Sequence, residues 1–313
     1  MGCFDMSNKF DKSGQFDIEV SGSRIPIKFK HGGDTARMVM FSFHGAINRE
    51  TREIPAYPPF LRNLDGSAHQ VAISDPSMLI DSAFGMSWYA GHDGFHTQTI
   101  LKDLLADIID VLSAERVIFF GSSGGGFAAL YFSWHFPDSL CLALCPQTGV
   151  ERYYSGHLAR YLDACWPDAT GGYAEVSQKV CLDVVDLYED KFPNTVVYLQ
   201  STGDYFHFQN HLVPFLHRAK LSRADNRFLL DCGFWGRLSH SGSVTQEAYQ
   251  PWVKTAVLAP DWKTDTLLET KYEITKTASS PAVVKPAATG KKGFDEQKVA
   301  QADLIGRWQL SQG

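Results

Sequence analysis

Short apolar runs separated by helical patterns limit the folds open to this chain more than any other feature. The runs are five to seven residues long, carry few charges, and occupy residues 37–43, 70–74, 116–120, 140–145, 195–200 and 227–231. Continuous apolar strands of this kind are typical of a parallel sheet that is covered on both faces. Residues 97–114 repeat apolar side chains at the spacing of one buried helical stripe. The alternation predicts an α/β fold with a central, mostly parallel sheet and helices on both faces.

Two regions depart from this alternation. Residues 16–30 alternate polar and apolar side chains around a Gly-Ser turn, which predicts an antiparallel hairpin at an edge of the sheet. Residues 149–192 spread aromatic side chains among small and polar ones. This second stretch is either a helical cap over a site or a peripheral helical excursion that only packs on the sheet.

The composition changes near the C-terminal end. Residues 275–292 are rich in Ala, Pro, Thr, Ser and Lys, a mixture that buries too little surface to order itself. Residues 294–310 fit one short amphipathic helix that docks on a protein partner or on the body of the protein. We therefore expect a catalytic domain at 1–262, followed at 263–313 by a flexible linker and a short C-terminal helix.

Charge and cysteine usage exclude several classes of protein. Lys and Arg total 29 and Asp and Glu total 35, so the formal net charge is 29 − 35 = −6, which argues against nucleic acid as the main partner. No apolar run is long enough to span a membrane, and the N-terminus lacks a signal-peptide pattern. The six cysteines include no CxxC pair and lie mostly in apolar runs. We expect reduced thiols, a cytoplasmic location and no metal centre.

A glycine-rich turn at residues 117–137 carries the best candidate for chemistry. Gly121, Ser123 and Gly125 form a G-x-S-x-G pattern directly after an apolar strand and directly before a helical run. A sharp strand-to-helix turn strains its central residue, so small neighbours are needed on either side. A P-loop would need a lysine, and a dinucleotide-binding G-x-G-x-x-G would need glycine at position 123. The pattern therefore predicts Ser123 as a nucleophile beside a helix N-terminus.

A serine nucleophile needs a histidine that is held by a carboxylate, and in this architecture they follow in the order serine, acid, histidine. Asp204 follows the run at 195–200, and His240 lies in a loop after the last run. The other usual position for the acid, after residues 140–145, has Gln147 and no carboxylate. We therefore expect the triad to be Ser123, Asp204 and His240.

Other titratable residues near these positions fit structural roles better. Asp75 is expected to brace its own loop. His207 and His211 are four residues apart and could share a helix face, but no third metal ligand accompanies them, so surface or helix-packing histidines are the favoured interpretation.

The oxyanion hole needs two backbone N–H groups. Gly124, directly after the nucleophile, supplies one, and Gly45 or Ala46, after the run at 37–43, supplies the other. His44 is expected to brace that loop and to lie at the substrate. The aromatic and Gly-rich stretch at 75–93 is expected to line a substrate pocket through Trp88 and Tyr89.

With these residues placed, the chain resembles the α/β-hydrolase superfamily over residues 16–262. The resemblance is carried by His-Gly at 44–45, GSSGG at 121–125, Asp204 and His240. It implies the α/β-hydrolase fold, with a central, mostly parallel sheet, and acyl transfer through a covalent serine ester. In this fold the stretch at 149–192 is expected as a helical cap-like insertion or as the peripheral excursion described above. The SDPSML and SWYAG segments are similar to those of members encoded beside bacterial surface-polysaccharide enzymes, some of which resemble O-acetyltransferases.

Three functions follow from this pattern. The first is an ester hydrolase acting on a small-molecule or glycan ester, with no cofactor. The second is an O-acetyltransferase that moves an acetyl group from acetyl-CoA, as co-substrate, to a polysaccharide hydroxyl. Exclusion of water from the acyl-enzyme decides between these two. The third is an inactive member of the fold that serves as a scaffold.

Overall fold

A single mixed sheet forms the centre of the protein. In the computed structural model, which describes residues 4, 6, 8–82 and 84–278, eight strands pair in the order β1-β2-β4-β3-β5-β6-β7-β8. The strands are β1 (Gly14–Val20), β2 (Ser23–Lys30), β3 (Met38–Phe43), β4 (His69–Ile73), β5 (Arg116–Ser122), β6 (Leu140–Leu144), β7 (Thr195–Ser201) and β8 (Phe228–Gly233). The β1–β2 hairpin pairs antiparallel with β4, and the remaining pairs are parallel. The predicted hairpin, the six predicted strands and the α/β fold are confirmed.

Helices cover both faces of this sheet. They are α1 (Thr97–Val111), α2 (Gly124–Trp134), α3 (Ser155–Cys165), α4 (Gly172–Val176), α5 (Val185–Tyr188), α6 (Tyr205–His207), α7 (Val213–Arg218), α8 (Gln246–Leu258) and α9 (Thr264–Ala278), with a π-helix at Phe208–Leu212 between α6 and α7. Phe41 and Phe119 belong to one buried apolar cluster, whereas their neighbours Met40 and Ile118 belong to a second. Successive strand residues point to opposite faces, so the two clusters mark a core on each side of the sheet. None of the helices in the described residues has the length and apolarity to cross a bilayer.

The insertion at 149–192 is helical, as the sequence predicts, and contains α3, α4 and α5. Arg152 ties it to the segment that follows β7. Its guanidinium forms an ion pair with Asp183, at 2.6 Å, and donates to the backbone oxygen of Asn210, at 3.1 Å. The ion pair lies within the insertion, whereas the bond to Asn210, together with an ion pair between Asp183 and Arg218 of α7 at 2.8 Å, holds the insertion against the helices that follow Asp204.

The region that the sequence assigns to a linker from residue 263 onward begins with a helix, α9. Leu267 is fully buried in the second apolar cluster, and Lys271 forms an ion pair with Asp231 at 2.7 Å. These contacts explain why a stretch of polar composition is ordered. Residues up to Thr275 form one compact unit. Residues 279–313, with the rest of the predicted linker and the predicted C-terminal helix, lie outside the described residues, so both stay predictions.

Candidate active site

Ser123 stands at a strained turn between β5 and α2. Its φ and ψ are 57° and −123°, a conformation that a non-glycine residue adopts only when its surroundings enforce it. A Cβ on Gly121 would overlap the carbonyl oxygen of Gly125, and a Cβ on Gly125 would overlap that of Phe43. Both positions therefore require glycine. The structure thus contains the tight turn that the G-x-S-x-G pattern predicts.

The loop after β3 packs against this turn. A Cβ on Gly45 would lie 2.9 Å from the carbonyl oxygen of Ser122 and 3.7 Å from the backbone nitrogen of Gly124. Among the described residues, no acceptor pairs with the backbone N–H of Gly124 or of Ala46. The first residue of α2 and the loop after β3 therefore offer unpaired donors close to the turn at Ser123, and their role as an oxyanion hole stays a prediction. The choice between Gly45 and Ala46 stays a prediction.

Asp204 and His240 form a hydrogen-bonded pair beyond the ends of β7 and β8. Nδ1 of His240 lies 2.5 Å from Oδ2 of Asp204. The Asp204 side chain is 2% exposed, and that of His240 is 31% exposed. Burial favours the neutral carboxyl, but hydrogen bonds from His207 and His240 outweigh it and hold the pKa of Asp204 below its usual range. An ionised carboxylate thus orients an accessible imidazole.

His207 is a second imidazole on the same carboxylate. Its Nδ1 lies 3.1 Å from Oδ1 of Asp204, and its ring stacks on that of His240. Burial lowers the pKa of His207, although the hydrogen bond to Asp204 opposes that shift. The contact of His207 with Asp204 differs from the surface or helix-packing role that the sequence pattern predicts for His207 and His211. The Asp-x-x-His spacing at a helix start is the signal that identifies it, because residues three apart share a helix face.

Asp204, His207 and His240 also have the composition of a cation site, with one ligand atom from each within 4.8 Å of the others. Their geometry does not suit one. The two rings are nearly parallel, at 9°, so their in-plane lone pairs run side by side and do not converge on one point. Both carboxylate oxygens already accept hydrogen bonds from imidazole nitrogens. The group is arranged for hydrogen bonding.

The hydroxyl of Ser123 is held by Gln147. Nε2 of Gln147 lies 3.1 Å from Oγ of Ser123, and within the described part of the chain no hydrogen bond joins Ser123 to His240. The expected serine–histidine bond is therefore not formed in this structure. Such bonds are often long before substrate binds. The sequence pattern gives no sign of the Gln147 contact, because it marks position 147 only as one without a carboxylate.

Tyr153 connects the two halves of the site. Its ring centroid is 6.4 Å from that of Trp88, whose indole bonds Gln147, and 5.8 Å from that of His207. Tyr153 therefore lies between Trp88, which is linked to Ser123 through Gln147, and His207, which bonds Asp204. Since Tyr153 belongs to the insertion at 149–192, this contact favours a cap over the site.

His44 and Tyr89 brace loops at this edge. Nδ1 of His44 donates to the carbonyl of Gly45 at 2.7 Å, and its Nε2 accepts from the backbone N–H of Asp75 at 3.1 Å. The Tyr89 hydroxyl donates to Ile73 and accepts from the backbone of His44. The predicted bracing by His44 and Asp75 matches these bonds. The predicted substrate contacts of His44, Trp88 and Tyr89 stay predictions, and both ring nitrogens of His44 are already in use.

No protein-family model matches the chain, and no curated protein matches its sequence. Solved structures match it by fold. A capsule O-acetyltransferase of Neisseria meningitidis serogroup A is 15% identical, with a TM-score of 0.58 over 78% of this chain and 94% of that one. A 2,6-dihydroxy-pseudo-oxynicotine hydrolase is 13% identical, with a TM-score of 0.53 over 80% and 69%. An acetyl xylan esterase from Paenibacillus sp. R4 is 12% identical, with a TM-score of 0.50 over 82% and 88%.

Proposed function

Because the chain has the α/β-hydrolase fold, we propose that it is a serine acyl-transfer enzyme that cleaves esters. One observation carries the proposal. A serine in a strained turn lies at the sheet edge where a buried carboxylate holds an accessible histidine at 2.5 Å. A fold alone does not select a reaction, but this set of groups is suited to nucleophilic acyl transfer.

In this proposal each site residue has one role in ester cleavage. His240 takes the Ser123 proton on Nε2 while Asp204 accepts the Nδ1–H bond, and Oγ of Ser123 bonds to the acyl carbon. The N–H of Gly124 and one from the loop after β3 stabilise the negative oxygen of the tetrahedral intermediate. That intermediate breaks its bond to the alcohol oxygen, which leaves with the proton from His240. His240 then takes a proton from water, and the water oxygen attacks the acyl carbon. The bond to Oγ of Ser123 breaks, Oγ regains the proton from His240, and the carboxylic acid is released.

Acetyl esters of carbohydrates are the substrates we propose first. Two of the structures with a similar fold are an acetyl xylan esterase and a capsule O-acetyltransferase. The second candidate function is transfer of an acetyl group from acetyl-CoA to a polysaccharide hydroxyl. The observation that favours it is the match to 94% of the capsule O-acetyltransferase.

Turnover of p-nitrophenyl acetate tests the serine chemistry. We expect Ser123→Ala to lower it by roughly 10³-fold or more, whereas Ser122→Ala, a matched change at the exposed neighbouring serine, leaves it unchanged. Equal turnover in both variants contradicts the proposal, and so does no turnover in the folded parent protein, which favours an inactive scaffold.

A second assay separates hydrolysis from transfer. The protein is incubated with acetyl-CoA, with and without an oligosaccharide acceptor, and the free CoA thiol is measured. Release of CoA that requires the acceptor supports the transferase. Release of acetate from an acetylated glycan without CoA supports the esterase.

A further inference from the structure

A buried glutamine binds the candidate nucleophile twice. Gln147 follows β6 and is 0% exposed. Its backbone N–H donates to the carbonyl oxygen of Ser123 at 3.0 Å, and its side-chain Nε2 donates to Oγ of the same residue at 3.1 Å. Neither the triad nor the oxyanion hole uses this side chain, so its position needs a separate explanation.

Trp88 fixes which way the Gln147 amide faces. The indole nitrogen of Trp88 lies 2.5 Å from Oε1 of Gln147. An indole N–H can only donate, so the oxygen of the amide must face Trp88 and its NH₂ group must face Ser123. The indole is itself fixed, because it is 1% exposed and packs edge-on against Tyr161, with ring centroids 5.6 Å apart. Trp88 also has a positive φ of 54°, so its loop is held in a strained backbone conformation.

We propose that Gln147, oriented by Trp88, is a positioning residue that directs the Ser123 proton toward His240. This rests on the proposed serine chemistry. A hydroxyl has one proton to donate. Since the Gln147 NH₂ group offers Ser123 only donors, the serine oxygen accepts from it and keeps its own proton for another acceptor, the imidazole of His240. The same N–H stabilises the negative charge that develops on Oγ as the proton leaves.

Labelling by a fluorophosphonate measures this effect without a known substrate, because the reagent bonds to an activated serine oxygen and loses fluoride. We expect the second-order labelling rate near neutral pH to fall by about 10- to 100-fold in Gln147→Met, which loses the donor but keeps a similar volume. Trp88→Phe should also lower the rate, because the Gln147 amide is then free to turn its oxygen toward Ser123. The fall should be smaller than in Gln147→Met, because the donor is still present. The matched control is Gln70→Met, another fully buried glutamine, bonded to the backbone of Leu61, and its rate should not change.

Gln147→Glu separates positioning from simple support of the fold. Its carboxylate accepts a hydrogen bond from the serine hydroxyl, which then points away from His240 and keeps its proton, so labelling falls further than in Gln147→Met. As the pH falls, the carboxyl becomes protonated and can donate to Oγ as the amide does. The ratio of the Gln147→Glu rate to the parent rate should therefore rise as the pH falls. Thermal unfolding checks that each variant is folded.

Parent-like labelling of Gln147→Met overturns the proposal. So does a low ratio for Gln147→Glu that stays constant with pH, because that result assigns Gln147 a structural role only. Failure of the serine chemistry itself is seen separately, as a parent protein that is folded but not labelled at Ser123.

Discussion

His207 and His240 lie with their imidazole rings stacked, 3.7 Å between centroids and 9° between planes, and each bonds a different oxygen of Asp204. Two parallel imidazolium rings would repel each other at this distance. Because burial and the nearby His240 lower the pKa of His207, that ring is the one that stays neutral. His207 therefore fixes the Asp204 carboxylate, and His240, whose side chain is 31% exposed, is the accessible imidazole of the two.

Substitutions of His207 separate its hydrogen bond from its stacking. His207→Asn places an amide N–H close to the position of Nδ1, and His207→Phe keeps a ring without a donor. We expect ester turnover to fall by about 10-fold in His207→Phe and by less in His207→Asn, because an anionic acceptor loses more when a donor is removed. His217→Phe, on the exposed surface of α7, is the matched control. A larger loss in His207→Asn than in His207→Phe would show that stacking is the main contribution.

Asp204→Asn tests the choice of acid. The asparagine keeps the size of the side chain and can still accept the N-terminal hydrogen bond of α6, but it cannot hold His240 in the required tautomer. We expect turnover of p-nitrophenyl acetate to fall by roughly 10³- to 10⁴-fold. The control is Asp231→Asn, on β8, where the carboxylate bonds Trp252 and Lys271. That change should lower the melting temperature and leave turnover unchanged, and the opposite pattern would mean that Asp204 is not the acid.

His44 makes the stability of the fold depend on pH. Burial lowers the pKa of His44 from 6.5 to about 4, so below pH 6.5 the unfolded chain takes up a proton that the folded protein refuses. Stability is therefore lost as the pH falls from 6.5 toward 4, by about 2 kcal/mol at about pH 5. Urea unfolding of the parent and of His44→Gln at about pH 7 and pH 5 measures this term. Equal losses in the two proteins would show that His44 is not its source.

The sequence predicts the sheet and much of the site for a simple reason. Parallel strands end at one edge, so residues that follow apolar runs, such as Ser123, Asp204 and His240, are brought to that edge by topology alone. The glycines beside Ser123 are likewise predicted by the turn they must form. Such features depend on local pattern and chain order.

Other features depend on contacts that no local pattern encodes. Gln147 reaches Ser123 across a strand end, and Trp88 reaches Gln147 from a loop 59 residues away in sequence. His207 looks like a helix-packing residue until the position of Asp204 is known. The helix α9 has a polar composition, and it is anchored by Leu267 in an apolar cluster. Each of these roles is set by a tertiary neighbour.

The most direct test of the account is to map a fluorophosphonate adduct by mass spectrometry of the folded protein. We predict one adduct, on the peptide that contains Ser123, formed in the parent and in Ser122→Ala, much more slowly in His240→Ala, and not at all in Ser123→Ala. An adduct on another residue, or labelling of Ser123→Ala at the parent rate, would contradict the assignment of Ser123 as the nucleophile.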